Sequence, residues 1–80
     1  MRIDKFLKIS RIIKRRTIAN EACDNGRIKV NNSVIKASYN VKENDIIELS
    51  LGAKLIKVKV VNINEYAQKA DAPLMYEIME

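Results

Sequence analysis

The chain has 80 residues, 48% of them apolar and 31% charged, with a formal net charge of +5. A chain of this size forms one small domain with a thin core, which disfavours a deep catalytic cleft. It has no histidine, one cysteine and two glycines, a composition that excludes a His-based triad, a zinc site and a glycine-rich phosphate loop. We therefore expect no enzyme, no metal and no cofactor.

The positive charge is concentrated at the start of the chain. Residues 1–29 hold nine Lys or Arg against three acids, a net charge of +6, whereas residues 30–80 hold six against seven, a net charge of −1. Such a one-sided excess predicts a polyanion partner. No apolar run approaches the ~18 residues of a membrane span, and the first residues do not form a signal peptide. We therefore expect a cytoplasmic protein without a membrane partner.

Two short amphipathic helices come first. The spacing of apolar residues predicts one helix over about 2–10 and a second over about 15–24. The second is closed by Gly26, which accepts the left-handed conformation common after a helix C-terminus. Its predicted buried stripe consists of Ile18, Ala19, Ala22 and Cys23. Two such helices joined by a few residues form a helix-turn-helix-like hairpin.

From residue 27 onwards the apolar period changes to two, which predicts strands. "RIKV" and "VIK" form a hairpin whose Asn31-Asn32 turn tolerates positive φ. "DIIELSL" and "KLIKVKVV" are longer strands joined at Gly52-Ala53. After a polar loop, "LMYEIM" is predicted to be a last strand, with a short helix as the alternative. The predicted fold class is α+β, with two N-terminal helices packed on a small, mostly antiparallel sheet.

Four cations lie where the second helix begins: Arg11, Lys14, Arg15 and Arg16. Cations at a helix N-terminus are unfavourable by up to about 1 kcal/mol each. One interpretation is a solvated helix end. The other is a phosphate clamp, because the unpaired N–H groups of the first turn attract anions and arginine offers a planar fork of donors. Arg2, Lys5 and Arg11 would flank the same site if the helices pack side by side.

The acidic residues have two interpretations each. Asp4 either complements the dipole of the first helix or pairs with an arginine such as Arg16 and holds its guanidinium in position. Asp45 and Glu48 are expected to be surface acids that serve solubility and turn formation rather than acid/base chemistry. The four aromatic residues are too scattered for a base-stacking platform. We therefore expect the polyanion to be recognised mainly through phosphates and shape.

An ordered set of residues follows the pattern of a known family. The set comprises Arg2-Ile3-Asp4, Leu7, Arg16, Ala19, Ala22, Gly26, "RIKVN" at 27–31, Val34, Lys36, Val41, Asp45 and Ile46. Over residues 2–49 the chain resembles the S4 RNA-binding domain without a gap, departing at Asn32, where the family usually has glycine. The resemblance implies the S4 (alpha-L motif) fold in a single domain 1–80. Residues 1–60 would form the RNA-binding core, and residues 61–80 a C-terminal loop with a short strand or helix.

Within that family the chain is similar to the stand-alone S4 proteins of bacterial ribosome quality control and to the related S4-type heat-shock protein. The resemblance implies a monomer that binds ribosomal RNA and tRNA on stalled 50S large ribosomal subunits carrying peptidyl-tRNA. There it would support C-terminal alanine tailing by a NEMF-type (RqcH) quality-control factor. The implied RNA-binding residues are Arg2, Asp4 and Arg16 on the S4 signature, with Lys5, Arg11, Lys14 and Arg15 adjoining them. Further candidates are Lys8, Arg27 and Lys36.

Other functions remain open from the residues alone. A helix-turn-helix DNA-binding regulator would read bases from the start of its second helix and usually dimerise. Another S4-type protein that binds ribosomal RNA or tRNA is a closer alternative. A protein-interaction module that recruits a partner through an exposed strand is compatible with RNA binding.

Overall fold

The computed structural model describes residues 1–79 and follows the predicted order of helices and strands. The two helices are α1 (Ile3–Ile9) and α2 (Arg16–Asp24). The five strands are β1 (Ile28–Val30), β2 (Ser33–Val34), β3 (Ile46–Leu51), β4 (Lys54–Val60) and β5 (Tyr76–Met79). A short 3-10 helix, Ala72–Leu74, precedes β5, so the last apolar segment is a strand, as predicted. Glu80, the end of the predicted segment 61–80, lies outside the described residues.

The strands form one sheet in the order β2-β1-β3-β4-β5, and every neighbouring pair is antiparallel. The register aligns Val30 with Ile47 and Ile47 with Val58 across three strands. All three side chains are buried on the face that carries the core. The predicted α+β class with an antiparallel sheet is therefore confirmed.

The turns use the residues that their backbone conformations require. Asn31 and Asn32 have φ values of 51° and 71°, as in the two-residue type I′ turn that matches the twist of a hairpin. Gly26 has φ 74° after α2, and Gly52 has φ 61° between β3 and β4. These four positive φ values confirm the predicted helix stop and both predicted turns.

The core is built by α1 on one side and the sheet on the other. Ile3, Phe6 and Leu7 of α1 are fully buried. α2 contributes only small buried side chains, Ala19, Ala22 and Cys23, which allow its backbone to approach closely. Burial, together with the carboxylates of Asp4 and Asp24, raises the pKa of the Cys23 thiol to about 11, so this thiol stays protonated and unreactive near neutral pH.

The predicted apolar stripe of α2 is wrong at Ile18, which is 48% exposed. Successive residues of an α-helix are about 100° apart around the axis. Ala19 is fully buried, and Ile18 lies beside the buried stripe formed by the small residues Ala19, Ala22 and Cys23. Helical spacing alone does not tell how wide that stripe is.

The C-terminal segment packs back onto the end of β4. The backbone carbonyl of Met75 accepts hydrogen bonds from the N–H groups of Val61 at 2.9 Å and Asn62 at 3.2 Å. The Met75 side chain is fully buried and belongs to the same core cluster as Val60. Residues 61–75 are therefore held at both ends.

Asp45 was expected to be a surface acid that serves solubility and turn formation. The solubility part of this expectation is wrong, because the residue is only 7% exposed. Its carboxylate accepts hydrogen bonds from the Tyr39 hydroxyl at 2.9 Å, Asn31 Nδ2 at 3.2 Å and the Lys42 N–H at 3.0 Å. The last of these stabilises the turn at 42–45, in agreement with the predicted role in turn formation. Burial and the Asp45 carboxylate together raise the pKa of Tyr39.

Candidate nucleic-acid interface

The start of α1 is fixed by the extended segment 37–41. The Ile3 N–H donates to the Tyr39 carbonyl at 2.7 Å, and the Val41 N–H donates to the Met1 carbonyl at 2.9 Å. Arg2, the N-cap of α1, forms an antiparallel bridge with Asn40. These backbone hydrogen bonds fix the position of Arg2 at the start of α1, independently of its side-chain contacts.

Asp4 joins the two helices through its carboxylate, which is 1% exposed. Oδ2 accepts hydrogen bonds from Arg2 Nη2 and Asn20 Nδ2, both at 3.1 Å. Oδ1 accepts one from the Lys5 N–H at 2.8 Å and one from Arg16 Nη2 at 3.4 Å. The pairing of Asp4 with Arg16, one of the two interpretations of this acid, is therefore confirmed, and Arg2 shares the same carboxylate.

The surroundings of Asp4 favour its charged form. Burial acts to raise the pKa of this carboxyl group, but the hydrogen bonds from Asn20 and the Lys5 N–H, with the guanidiniums of Arg16 and Arg2, outweigh it. The net effect is a pKa below the ordinary value of an aspartate. The carboxylate is thus ionised near neutral pH and can anchor both arginines.

The same carboxylate accounts for arginine at the start of α2. Arg16 is the first residue of that helix, and its first turn contains no acid. Asp4 of α1 brings a negative charge to the Arg16 side chain from the neighbouring helix. The unfavourable interaction of Arg16 with the helix dipole is offset in this way, so the arginine is held without being buried.

The two arginines line a shallow, open depression of about 410 Å³. Their side chains are each 48% exposed, whereas the Asp4 side chain between them is 2% exposed. The full lining is Arg2, Asp4, Arg16, Thr17, Asn20 and Glu21. Two oriented guanidiniums beside a hydroxyl and an amide form a donor set suited to phosphate oxygens. We call this surface the arginine depression.

Sequence reasoning missed Asn20 and Thr17 as parts of this site. Asn20 lies four residues after Arg16, so the two share one face of α2. That spacing could have identified Asn20 as a second ligand of Asp4. The orientation of α2 against α1 decides that this face meets Asp4, and no sequence pattern specifies that orientation.

The structure does not gather all predicted cations into one site. Lys5 Nζ lies 3.8 Å from Glu65 Oε1, an acid of the C-terminal loop. Arg11 lines a separate depression with Lys8 and Lys14. The expectation that Arg11 flanks the Arg16 site is therefore wrong, because Arg11 follows the C-terminal end of α1 whereas Arg2 caps its beginning. Lys5 is next to Asp4 in the chain and its N–H donates to Asp4 Oδ1, so a role of Lys5 beside the Arg16 site stays a prediction.

Three further candidates are exposed and line neither depression. Arg15 is the N-cap of α2 and makes no side-chain capping hydrogen bond. Arg27 follows α2, and Lys36 lies in the segment after β2. A role of these three in RNA binding stays a prediction.

Residues 1–79 contain neither a cluster of metal ligands nor a helix that could span a membrane. In that part of the chain no three His, Cys, Asp or Glu side chains are grouped as metal ligands would be. None of the helices described there is long and apolar enough to cross a membrane.

The helix hairpin packed on an antiparallel sheet agrees with the family that the sequence matches. A family model described as the S4 domain matches residues 1–47. The chain belongs to the S4 domain family, and the predicted resemblance is confirmed.

Individual proteins that align with almost the whole chain make the similarity more specific. The chain is 53% identical over 79 residues to the RQC P-site tRNA stabilizing factor of Streptococcus pneumoniae, covering 99% of this chain and 90% of that protein. It is 46% identical over 80 residues to the protein of the same name from Bacillus subtilis, covering 100% and 93%. A trimeric structure of Vibrio cholerae heat shock protein 15 matches with a TM-score of 0.90 at 24% identity, covering 99% and 81%. The last likeness is one of fold.

Proposed function

We propose that this chain is a cytoplasmic, non-catalytic RNA-binding factor of ribosome-associated quality control. It binds ribosomal RNA and tRNA on stalled 50S subunits that still carry peptidyl-tRNA, and it stabilises that tRNA in the P site. It acts as a monomer and supports C-terminal alanine tailing by a NEMF-type (RqcH) factor.

The observation that carries the proposal is the buried Asp4 carboxylate holding two half-exposed arginines. Arg2 and Arg16 lie 3.1 and 3.4 Å from it, on the surface of an open depression. An open surface with two preoriented guanidiniums suits an extended polyanion better than a small enclosed metabolite. Ribosomal RNA and tRNA present phosphates on such accessible surfaces.

The relatives support the particular assignment. The proteins of Streptococcus pneumoniae and Bacillus subtilis are RQC P-site tRNA stabilizing factors, and each aligns with almost the whole of this chain. The NEMF-type partner and the tailing reaction are carried over from the resemblance to stand-alone S4 proteins.

The test is co-sedimentation with 50S particles that carry peptidyl-tRNA. We expect the wild-type chain to sediment with them and Arg16→Ala to bind roughly tenfold more weakly, because one charge-assisted phosphate contact is lost. Lys54→Ala is the matched control, since Lys54 is an exposed cation at the start of β4, outside both depressions. Thermal unfolding of each variant shows whether the fold is intact.

Two results would contradict the proposal. If a folded Arg16→Ala chain sediments like the wild type, the arginine depression is not part of the RNA interface. A wild-type chain that prefers duplex DNA to ribosomal RNA in a competition assay would favour a helix-turn-helix regulator instead.

A further inference from the structure

The segment 37–41 belongs to neither helix and to no strand, yet it fixes the backbone on which Arg2 stands. The Ile3 N–H donates to the Tyr39 carbonyl at 2.7 Å, directly after Arg2 in the chain. Arg2 itself forms the antiparallel bridge with Asn40. The place of Arg2 therefore depends on the place of this segment.

The Tyr39 side chain attaches the segment to the sheet. Its hydroxyl donates to Asp45 Oδ2 at 2.9 Å, and Asp45 is only 7% exposed. The other oxygen of this carboxylate, Oδ1, accepts a hydrogen bond from Asn31 Nδ2 at 3.2 Å. Asn31 in turn donates its N–H to the Ile46 carbonyl at 2.8 Å and accepts the Ile46 N–H on Oδ1 at 3.0 Å. The acceptor of the Tyr39 hydroxyl is thus held by the start of β3 and by the turn between β1 and β2.

The segment reaches α2 at the end that lies away from Arg16. The Ala37 N–H donates to Asp24 Oδ1 at 3.3 Å, and Asp24 is the last residue of α2 whereas Arg16 is its first. At a rise of about 1.5 Å per residue, these two ends are roughly 12 Å apart along the helix axis. The bond between Tyr39 and Asp45 therefore acts on the backbone of Arg2 rather than on that of Arg16.

We propose that Tyr39 and Asp45 are positioning residues for the arginine depression, because their hydrogen bond sets where Arg2 lies relative to Arg16. The inference rests on the proposed function. Neither Tyr39 nor Asp45 lines the depression, so they act on bound RNA through Arg2. A binding group has to be held within about 0.5 Å of its productive position by the residues that support it. A looser start of α1 would therefore misplace the Arg2 guanidinium.

Tyr39→Phe is the test variant, since it removes the hydroxyl and keeps the ring. Each oxygen of Asp45 retains one donor in this variant, Asn31 Nδ2 on Oδ1 and the Lys42 N–H on Oδ2. The fold is therefore expected to stay intact with a slightly lower unfolding midpoint. Gly52→Ala is the matched control, because its positive φ of 61° makes alanine unfavourable in a turn outside the arginine depression.

The first measurement is amide hydrogen exchange, which needs no RNA. In Tyr39→Phe the Ile3 amide should exchange about threefold faster or more, relative to the Ala19 amide of α2, because local opening at the start of α1 becomes easier. In Gly52→Ala the ratio of the two exchange rates should equal that of the wild type. An unchanged ratio in Tyr39→Phe would overturn the inference.

The second measurement is affinity for 50S particles that carry peptidyl-tRNA, determined in a double-mutant cycle. We expect Tyr39→Phe to weaken binding about threefold in the wild-type and Arg16→Ala backgrounds, and by less than about 1.5-fold in the Arg2→Ala background. Gly52→Ala should bind within about 1.5-fold of the wild type. A threefold loss that persists without the Arg2 side chain would overturn the inference, as would an equal loss in Gly52→Ala.

Failure of the proposed function gives a different result. A wild-type chain that does not bind the particles would contradict the proposed function and the role of Arg2 in RNA binding. Faster exchange of the Ile3 amide in Tyr39→Phe would in that case still support the positioning of Arg2 by Tyr39.

Discussion

Asp4 shows, at the scale of single residues, how one carboxylate organises this surface. It accepts hydrogen bonds from two arginines, one asparagine and one backbone N–H. The sequence offered the pairing with Arg16 as one of two interpretations of Asp4, because the many cations nearby did not single out a partner. The contribution of Asn20 was not predictable, since it depends on which face of α2 meets α1.

Asp4 is expected to make folding stability depend on pH. The folded state lowers the pKa of Asp4, so its contribution is fully present above the unfolded value of about 3.9 and is lost as the pH falls through the folded value. Asp4→Asn removes this contribution. The difference in unfolding free energy between wild type and Asp4→Asn should therefore shrink as the pH is lowered from about 6 to about 2.

Chemical denaturation at a series of pH values measures this difference. Glu43→Gln is a suitable control, because Glu43 is an exposed acid outside the arginine depression. A difference between wild type and Asp4→Asn that stays constant over the whole pH range would contradict an ionised, stabilising Asp4.

At the scale of secondary-structure elements, the two ends of α2 are stabilised differently: the helix begins at Arg16 and ends at Asp24, two residues before Gly26. Its start is stabilised by Asp4 from another element, whereas its end depends on its own sequence. Gly26 has φ 74°, and a Cβ built on it would lie 4.0 Å from Val34 Cγ1, an ordinary van der Waals distance. The requirement for glycine is therefore conformational rather than steric.

Gly26→Ala is expected to lower the free energy of unfolding by about 1 kcal/mol, because alanine pays the cost of the left-handed conformation. Gly52→Ala is the matched comparison, since Gly52 has φ 61° and no atom within 4 Å of its Cβ direction. Urea unfolding of both variants should give similar losses. A much larger loss for Gly26→Ala would show that the space near Val34 is tighter than the structure indicates.

At the scale of the whole molecule, the cations that give the chain its net charge of +5 are distributed over distinct surfaces. Asp4 and Glu65 neutralise part of the positive charge along α1, while Lys8, Arg11 and Lys14 lack such partners within residues 1–79. The charge count of the first 29 residues predicted a polyanion binder. The division into two depressions follows from the positions of Arg2 and Arg11 at opposite ends of α1.

RNA affinity is expected to depend steeply on salt. With about four to six phosphates contacted, the logarithm of the affinity should fall with the logarithm of the salt concentration at a slope of roughly −3 to −5. Arg16→Ala should reduce the magnitude of that slope by about one, because one phosphate contact releases one counterion fewer. Filter binding or sedimentation at several salt concentrations measures the slope, and a flat response would exclude an interface dominated by phosphates.

The sequence by itself determined the order of elements, the turns and the charge of the surface, since these depend on local properties of the chain. These local features are the apolar period, the Asn31-Asn32 turn, the Gly26 helix stop and the cations of the first 29 residues. Each involves only a few neighbouring residues, so it can be recognised without knowing the tertiary structure. Tertiary structure alone decided that Ile18 is exposed, that Asp45 is buried and that Asn20 shares Asp4 with two arginines. Those outcomes depend on how wide the contact between α1 and α2 is and on which residues from distant parts of the chain meet.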